Sequence, residues 1–380
     1  MSVTSIPDKV KFHVWLHAGG RCQYPGCNEP LWQDNLTLRV MNRAYLAHIV
    51  ADSADGPRGD DVLSEKLKAD PSNIMLLCDT HHRLIDKIAV KEHPVELLRQ
   101  YKQEHEERIE RQTSVHNSKR TLIVMLSTRV GHRRADSLFS DEETQRAVYP
   151  ARYPATNRGF HIKLDNVPVT EKDFSFWELA KLTIDRELSQ LARGDDPTGR
   201  PINHLSIFAI APIPILIYFG QQLSNITAAD VYQRHRHPPT WEWQEFDNDG
   251  FDYTTIVPEE AKEECVVAIN VSLSGPIHDS EITVALGKQH PTYLLTIAEP
   301  SVHYLRSQEQ LELFTKEWRA LLTRIRATHG EKCEVHVFPA VPNSVAIEMG
   351  RALLPKVDPP MHIYNRNAPD EMFQRVLTIA

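Results

Sequence analysis

Residues 204–220, HLSIFAIAPIPILIYFG, align without a gap on residues 334–350, EVHVFPAVPNSVAIEMG, at a shift of 130 residues. Phe208 meets Phe338, Pro212 meets Pro342, Ile217 meets Ile347 and Gly220 meets Gly350. Each copy starts as a strand-like apolar run, crosses a proline-bearing turn and continues as an apolar segment of helical length. Recurrence of that unit points to an internal duplication of α/β halves. Open α/β sheets bind ligands at the carboxyl ends of their strands. Two related halves therefore place two such crevices face to face, which suits a pseudo-symmetric ligand.

Working outward, the runs TLIVML (121–126), CVVAINVSLSG (265–275) and TYLLTIAEP (292–300) also predict strands. They alternate with helical patterns at 173–192, DFSFWELAKLTIDRELSQLA, and 307–329, SQEQLELFTKEWRALLTRIRATH. Such alternation predicts α/β layers with a largely parallel sheet over residues 120–380. Ahead of it, Val95, Leu98, Tyr101 and His105 fall at helical spacing in a charge-rich stretch. Residues 94–119 are accordingly expected to form a helical linker.

Composition excludes several classes. With 380 residues, 41% hydrophobic and 25% charged, the chain is expected to build two or three globular domains. The most apolar window, Leu205–Phe219, carries Pro212 and Pro214 and is too short to span a bilayer. The opening MSVTSIPDKV lacks the form of a signal peptide, so a cytoplasmic protein is expected. No G-x-x-x-x-G-K-[ST] occurs, which removes the P-loop nucleotidases. Residues 1–120 hold 17 basic and 17 acidic side chains, leaving 26 basic against 34 acidic beyond them. Neither part is a basic DNA-coating surface, so any nucleic-acid contact is local or built from several copies.

The first ninety or so residues are dense in Cys, His, Asp and Asn. Cys22 and Cys27 stand as C-x4-C, and Cys78 and His81 as C-x2-H. Zinc takes four soft or borderline ligands in a tetrahedron, and two short-spaced pairs supply them. Pro25 and Gly26 help the knuckle turn back. Such a closed site is structural.

Around these pairs the sequence resembles the HNH endonuclease family over roughly residues 12–93. The likeness is carried by Cys22, Cys27, His48, Ile49, GPRGD at 56–60, Asn73, Leu77, Cys78, His81 and His82. It implies an α+β module with the ββα-metal fold spanning 1–93. His48 would be the general base taking a proton from the water that attacks a phosphodiester. His82 would hold one catalytic divalent ion, Mg²⁺ or another, with Asp86 binding the same ion or orienting His82. Asn73 would brace the loop or position the base. The family's usual Asp or His before the base is replaced by Ala47, which leaves the ion one ligand short.

Residues 120–380 resemble the SAVED domain family, found fused to effectors in CBASS, the cyclic-oligonucleotide-triggered antiphage systems. The likeness lies in the stretch from Arg200 to Trp243, in VSLSGPI (271–277) and in residues 335–365. It implies two fused Rossmann-like (CARF-like) halves and a cyclic di- or trinucleotide as the activating second messenger. A site for one needs aromatic faces and cations. Tyr232, Arg234, Arg236, Trp241 and Trp243 gather within twelve residues, and on a strand Trp241 and Trp243 would share a face. His235 and His237 are expected to face solvent. Ser272, Ser274 and Asn343 fall at strand ends, where their side chains reach a ligand.

The two resemblances together imply a ligand-gated endonuclease that degrades double-stranded DNA, a dimer that grows into a larger oligomer when the messenger binds. The competing expectations are a restriction endonuclease whose large domain reads modified DNA, and a non-catalytic zinc-containing nucleotide sensor. The acidic balance of residues 121–380 disfavours the first, and the joint presence of His48, Asn73 and His82 disfavours the second.

Overall fold

The chain divides at His116 into two units, the second running Asn117–Ala380. The computed structural model describes residues 5–130, 133–134, 138–167, 169–191, 201–224, 227–245, 250–259, 266–330, 332–354, 357–366 and 372–380. Cys265, one of the five cysteines and the first residue of one predicted strand, lies outside them.

In the first unit α1 (Asp8–His17) follows Pro7, whose fixed φ suits a helix start. β1 (Tyr45–His48) pairs antiparallel with β2 (Ile74–Leu77), setting Tyr45 opposite Leu77 and His48 opposite Ile74. The short α2 (Leu63–Leu67) lies in the connection between them. All four residues of β2 are buried, as the unbroken apolar run requires, and the chain passes through Cys78 into α3 (Asp79–Arg83). A π-helical turn, Leu84–Ile88, extends α3.

The helix expected as a linker, α4 (Val95–Thr113), belongs to this unit instead. Leu98 is fully buried, and the His105 ring donates through Nε2 to the Ala18 carbonyl at 3.0 Å. Gln23 donates to Glu106 at 3.1 Å. Val95, Leu98 and Tyr101 join the core formed by Val14, Leu31, Ile49 and Ile74, so the apolar stripe of α4 is a packing face.

The second unit opens with β3 (Arg120–Ser127), a small hairpin of β4 (Arg129–Val130) and β5 (Arg133–Arg134), then α5 (Asp141–Val148). β6 (Tyr153–Pro154), β7 (Phe160–Lys163), α6 (Ser175–Leu191), β8 (His204–Ile210), α7 (Ile213–Leu223) and β9 (Ala228–Tyr232) complete its first half. After β10 (Thr254–Ile256) come β11 (Val266–Ser272), α8 (Asp279–Leu286), β12 (Thr292–Thr296) and α9 (Gln308–His329). β13 (Glu334–Ala340), α10 (Asn343–Arg351), β14 (Met361–Asn365) and β15 (Gln374–Ile379) close the chain.

Both halves share one topology. β7, β3, β8 and β9 lie side by side and parallel in that order, and so do β12, β11, β13 and β14. In chain order each half is arranged 2-1-3-4, with its switch point between first and third strands. β10 and β15 add antiparallel strands at the two edges of the second sheet.

The two sheets are joined through α7 and α10, the helices of the aligned segments. A Cβ added to Gly220 would lie 2.0 Å from the Ile347 carbonyl oxygen, and one added to Gly350 would lie 1.9 Å from that of Ile217. These are the same contact read in both directions, since Gly220 aligns with Gly350 and Ile217 with Ile347. The helices touch backbone to backbone about a pseudo-two-fold axis, and only glycine permits that approach. Around them Phe219, Ile215, Val345, Ile347 and Trp318 form a single core with both sheets. Among the described residues no helix is long and apolar enough to cross a membrane.

Candidate functional site

In the first unit, Cys22, Cys27, Cys78 and His81 come together, their ligand atoms all within 4.8 Å of one another. Gly26 supplies the positive φ, +78°, that turns the knuckle back. Sγ of Cys78 lies 3.1 Å from Nδ1 of His81, and Sγ of Cys22 lies 3.7 Å from it. Tyr24 stacks on His81 at 4.1 Å and fixes its plane. The cysteines are not paired as disulfides. Burial pushes the Cys22 and Cys78 thiols above the ordinary cysteine range and the His81 imidazole below its own. Three sulfurs and a neutral imidazole converging in an apolar shell fit a tetrahedral zinc ion, which would replace the thiol protons.

His48 closes β1 and is buried. Its Nε2 is 2.9 Å from the Lys68 carbonyl oxygen, which only accepts, so Nε2 carries the proton and Nδ1 keeps the lone pair. Asn73 grips the chain after His48 with both ends of its amide. Its Oδ1 accepts from Val50 N–H and its Nδ2 donates to the Val50 carbonyl, each at 2.8 Å. Nδ2 also reaches the Leu67 carbonyl at 3.3 Å. With these bonds filled, Asn73 braces the backbone that carries His48.

His82 stacks on Tyr45 at 4.7 Å, and its Nε2 lies 3.1 Å from Oδ2 of Asp86. The other carboxylate oxygen of Asp86 accepts from Arg58 at 2.6 Å. Burial raises the Asp86 pKa, but the hydrogen bonds from His82 and Arg58 outweigh it and hold the carboxyl below the usual range. Arg58, of the GPRGD stretch, also donates to the carbonyls of Ile49 at 2.8 Å and Ile85 at 2.7 Å, and reaches that of His48 at 3.4 Å. It ties the segment that carries His48 to the helix of His82. The sequence showed Arg58 only as a letter in a motif; a buried arginine bonded to three carbonyls is a feature of the folded chain.

The second unit holds a cavity of about 860 Å³ at the carboxyl ends of its strands. Ile210 ends β8, Gln233–His237 follow β9, Ser274 follows β11, and Val341–Asn343 follow β13, so both halves contribute. Arg234, Arg236 and Arg306 line it, and no carboxylate is among its described lining residues. Arg236 is exposed, while Arg234 lies over the Trp241 ring at 5.7 Å and reaches Glu143 at 3.5 Å. Asn343 donates to the Ala209 carbonyl at 3.2 Å, linking the first turn of α10 to the end of β8.

Four of the eight predicted ligand residues line this cavity: Arg234, Arg236, Ser274 and Asn343. The others are placed differently. Tyr232 is buried and stacks on Phe208 at 4.5 Å. Trp241 is 1% exposed, packed on Phe139 and Phe208, with Nε1 donating to the Leu138 carbonyl at 3.3 Å. Ser272 is buried and bonded to Asn270 and Ile277. Residues 241–245 form no strand, so the two tryptophans do not share a strand face. Trp243 meets His235 edge-on at 5.8 Å and is not among the described lining residues.

His235 corrects the expectation most sharply. It is 7% exposed rather than solvent-facing, it lines the cavity, and its Nε2 has no hydrogen-bond partner among the described residues. Burial, reinforced by Arg234 and Arg306, pushes its pKa down to about 4. A buried ring nitrogen left unbonded is costly, and a ligand atom in the cavity would satisfy it.

Comparison with protein families matches residues 184–379, more than half of the chain, to SAVED, the SMODS-associated and fused to various effectors sensor domain. The chain belongs to the SAVED family. Solved structures similar to it include the Acinetobacter baumannii Cap4 SAVED/CARF-domain containing receptor, at 13% identity and a TM-score of 0.39, covering 75% of this chain and 59% of that one. The same receptor with the cyclic trinucleotide 2'3'3'-cAAA gives 15% identity and 0.40 over 75% of this chain and 61% of that one. A Moraxella osloensis Cap4 SAVED/CARF-domain containing receptor gives 12% and 0.40 over 77% and 63%. The chain thus spans about six-tenths of the length of these receptors. No curated protein matches it. Within the SAVED match lie every lining residue of the cavity except Leu138, and both copies of the aligned segment.

Proposed function

We propose that this SAVED protein is a cyclic-oligonucleotide-gated DNA endonuclease of antiphage defence. The observation that carries the sensing half is the cavity, where three arginines, with no carboxylate among the described lining residues, converge at the strand ends of both halves of an acidic unit. Guanidinium groups bind phosphate oxygens in a bidentate manner, and a messenger with two or three phosphates meets cations from several elements at once. Similar receptors solved with cyclic trinucleotides support this choice of ligand.

The nuclease half rests on the first unit. Nδ1 of His48 keeps a lone pair because Nε2 is held by the Lys68 carbonyl, which suits it to take a proton from water. Asn73 and Arg58 keep that ring and the His82 helix in register. His82 and Asp86 are the protein donors available to a divalent ion, and water and phosphate oxygens would fill its other positions. Such an ion, when bound, stabilises the charge that develops on the phosphate. Zinc at Cys22, Cys27, Cys78 and His81 holds the fold and takes no part in the chemistry.

Two substitutions separate the halves. His48→Ala is expected to lower DNA cutting by at least about 10²-fold, the low end for a lost general base, while leaving cyclic-trinucleotide binding by calorimetry unchanged. Arg236→Ala is expected to weaken binding and raise the activating concentration, while zinc content stays the same. Undiminished cutting by the His48 variant would overturn the mechanism.

A further inference from the structure

At the opposite end of β13 from the cavity stands a second group of metal-ligating side chains. Glu334 and His336 point from the same face of β13, and His362 is the register partner of His336 on the neighbouring parallel strand β14. One oxygen or nitrogen from each residue lies within 4.8 Å of the others. We propose that Glu334, His336 and His362 form a binding site for a divalent transition-metal ion, zinc by its donor set, that clamps β14 to β13.

Three features argue for an ion rather than a hydrogen-bonded cluster. Each imidazole is already bonded through Nδ1, His336 to the Tyr364 hydroxyl and His362 to Thr378 Oγ1, both at 2.9 Å. A hydroxyl that accepts from Nδ1–H leaves Nε2 with its lone pair, the usual way a metal-binding histidine is held. The two Nε2 atoms face Glu334 Oε2 at 4.0 Å and 3.8 Å, too far for a hydrogen bond. Ligands at about 2.0 Å from a tetrahedral zinc sit about 3.3 Å apart, so a small rotation of the Glu334 side chain brings its carboxylate oxygen to that separation from the two ring nitrogens. Glu334 is exposed and free to make it, whereas the histidine rings are largely covered.

Burial lowers the pKa of both rings, His336 to about 4 with help from His362, His290 and Arg375, and His362 with help from Arg375. Burial thus favours the neutral form of each imidazole, the form that binds a metal. Two nitrogens and a carboxylate leave the fourth position of a tetrahedral ion open to water. An ion here would fasten β14, and with it the antiparallel β15, to β13, the strand that leads into α10.

The test counts ions in the full-length protein. Wild type, His362→Gln, Glu334→Gln and Cys78→Ser are equilibrated with micromolar zinc, freed of loose ions by gel filtration and analysed for zinc per chain. Wild type is expected to hold one ion more than either His362→Gln or Glu334→Gln, and Cys78→Ser is expected to keep that ion. Glu334 is exposed, so its variant folds even if the His362 variant does not. Equal zinc content in wild type and Glu334→Gln would overturn the site. Loss of an ion from Cys78→Ser bears on the cysteine cluster alone, so the two assignments fail separately.

Discussion

At the scale of single residues, His235 shows how a buried group makes a sensor's stability depend on pH. Its ring is neutral when folded, with a pKa near 4, against about 6.5 in an unfolded chain. A depressed pKa contributes stability that is complete above about pH 6.5 and lost as pH falls through 4, because the unfolded chain takes the proton first. The melting temperature is therefore expected to drop across that window, and His235→Leu to flatten the drop; an unchanged slope would show the ring to be solvated. Neither its burial nor that of Trp241 was legible in the sequence, where an aromatic cluster carries no sign of which members face inward. The clustering of Cys22, Cys27, Cys78 and His81 was legible, because a tetrahedral metal site demands particular side chains at particular spacings and a C-x4-C with a C-x2-H states both. Arg58 was not, since its partners are backbone carbonyls brought together only by folding.

Elements tell the same story in another register. The aligned segments at 204–220 and 334–350 were readable because a duplicated strand-turn-helix keeps its spacing, and they turn out to be the two elements that meet on the pseudo-two-fold axis. Gly220→Ala is the direct check. Helix propensity alone favours alanine by about 1 kcal/mol, whereas the close approach to Ile347 predicts a loss of about 1–3 kcal/mol from overpacking. Thermal melting decides between the two signs, and Gly350→Ala is expected to behave alike. The helix α4 misled because charge dominates its outer face; the few apolar positions that dock it, Leu98 above all, are enough to bury one stripe. The short strands β9 and β14 drew no prediction, since Asp230 interrupts the one and His362 the other and neither offers an unbroken apolar run.

For the molecule as a whole, charge sets the problem. The chain carries −8 and its first 120 residues balance to zero, so a single copy has weak electrostatic hold on DNA. On the proposed function each first unit would also offer one cutting site, and two strands need two. Assembly answers both, since juxtaposed units pool phosphate contacts and effective concentration rises. The mass measured by light scattering is accordingly expected to increase when a cyclic trinucleotide is added, and an unchanged mass with full activation would mean a switch within an existing oligomer. The central claim is that the cavity governs the nuclease. Plasmid DNA incubated with the protein and Mg²⁺, alone and across a panel of cyclic di- and trinucleotides, tests it most directly. Cleavage with one or a few of these messengers and none without them is the predicted result; cleavage independent of every messenger, or none with any, would contradict it.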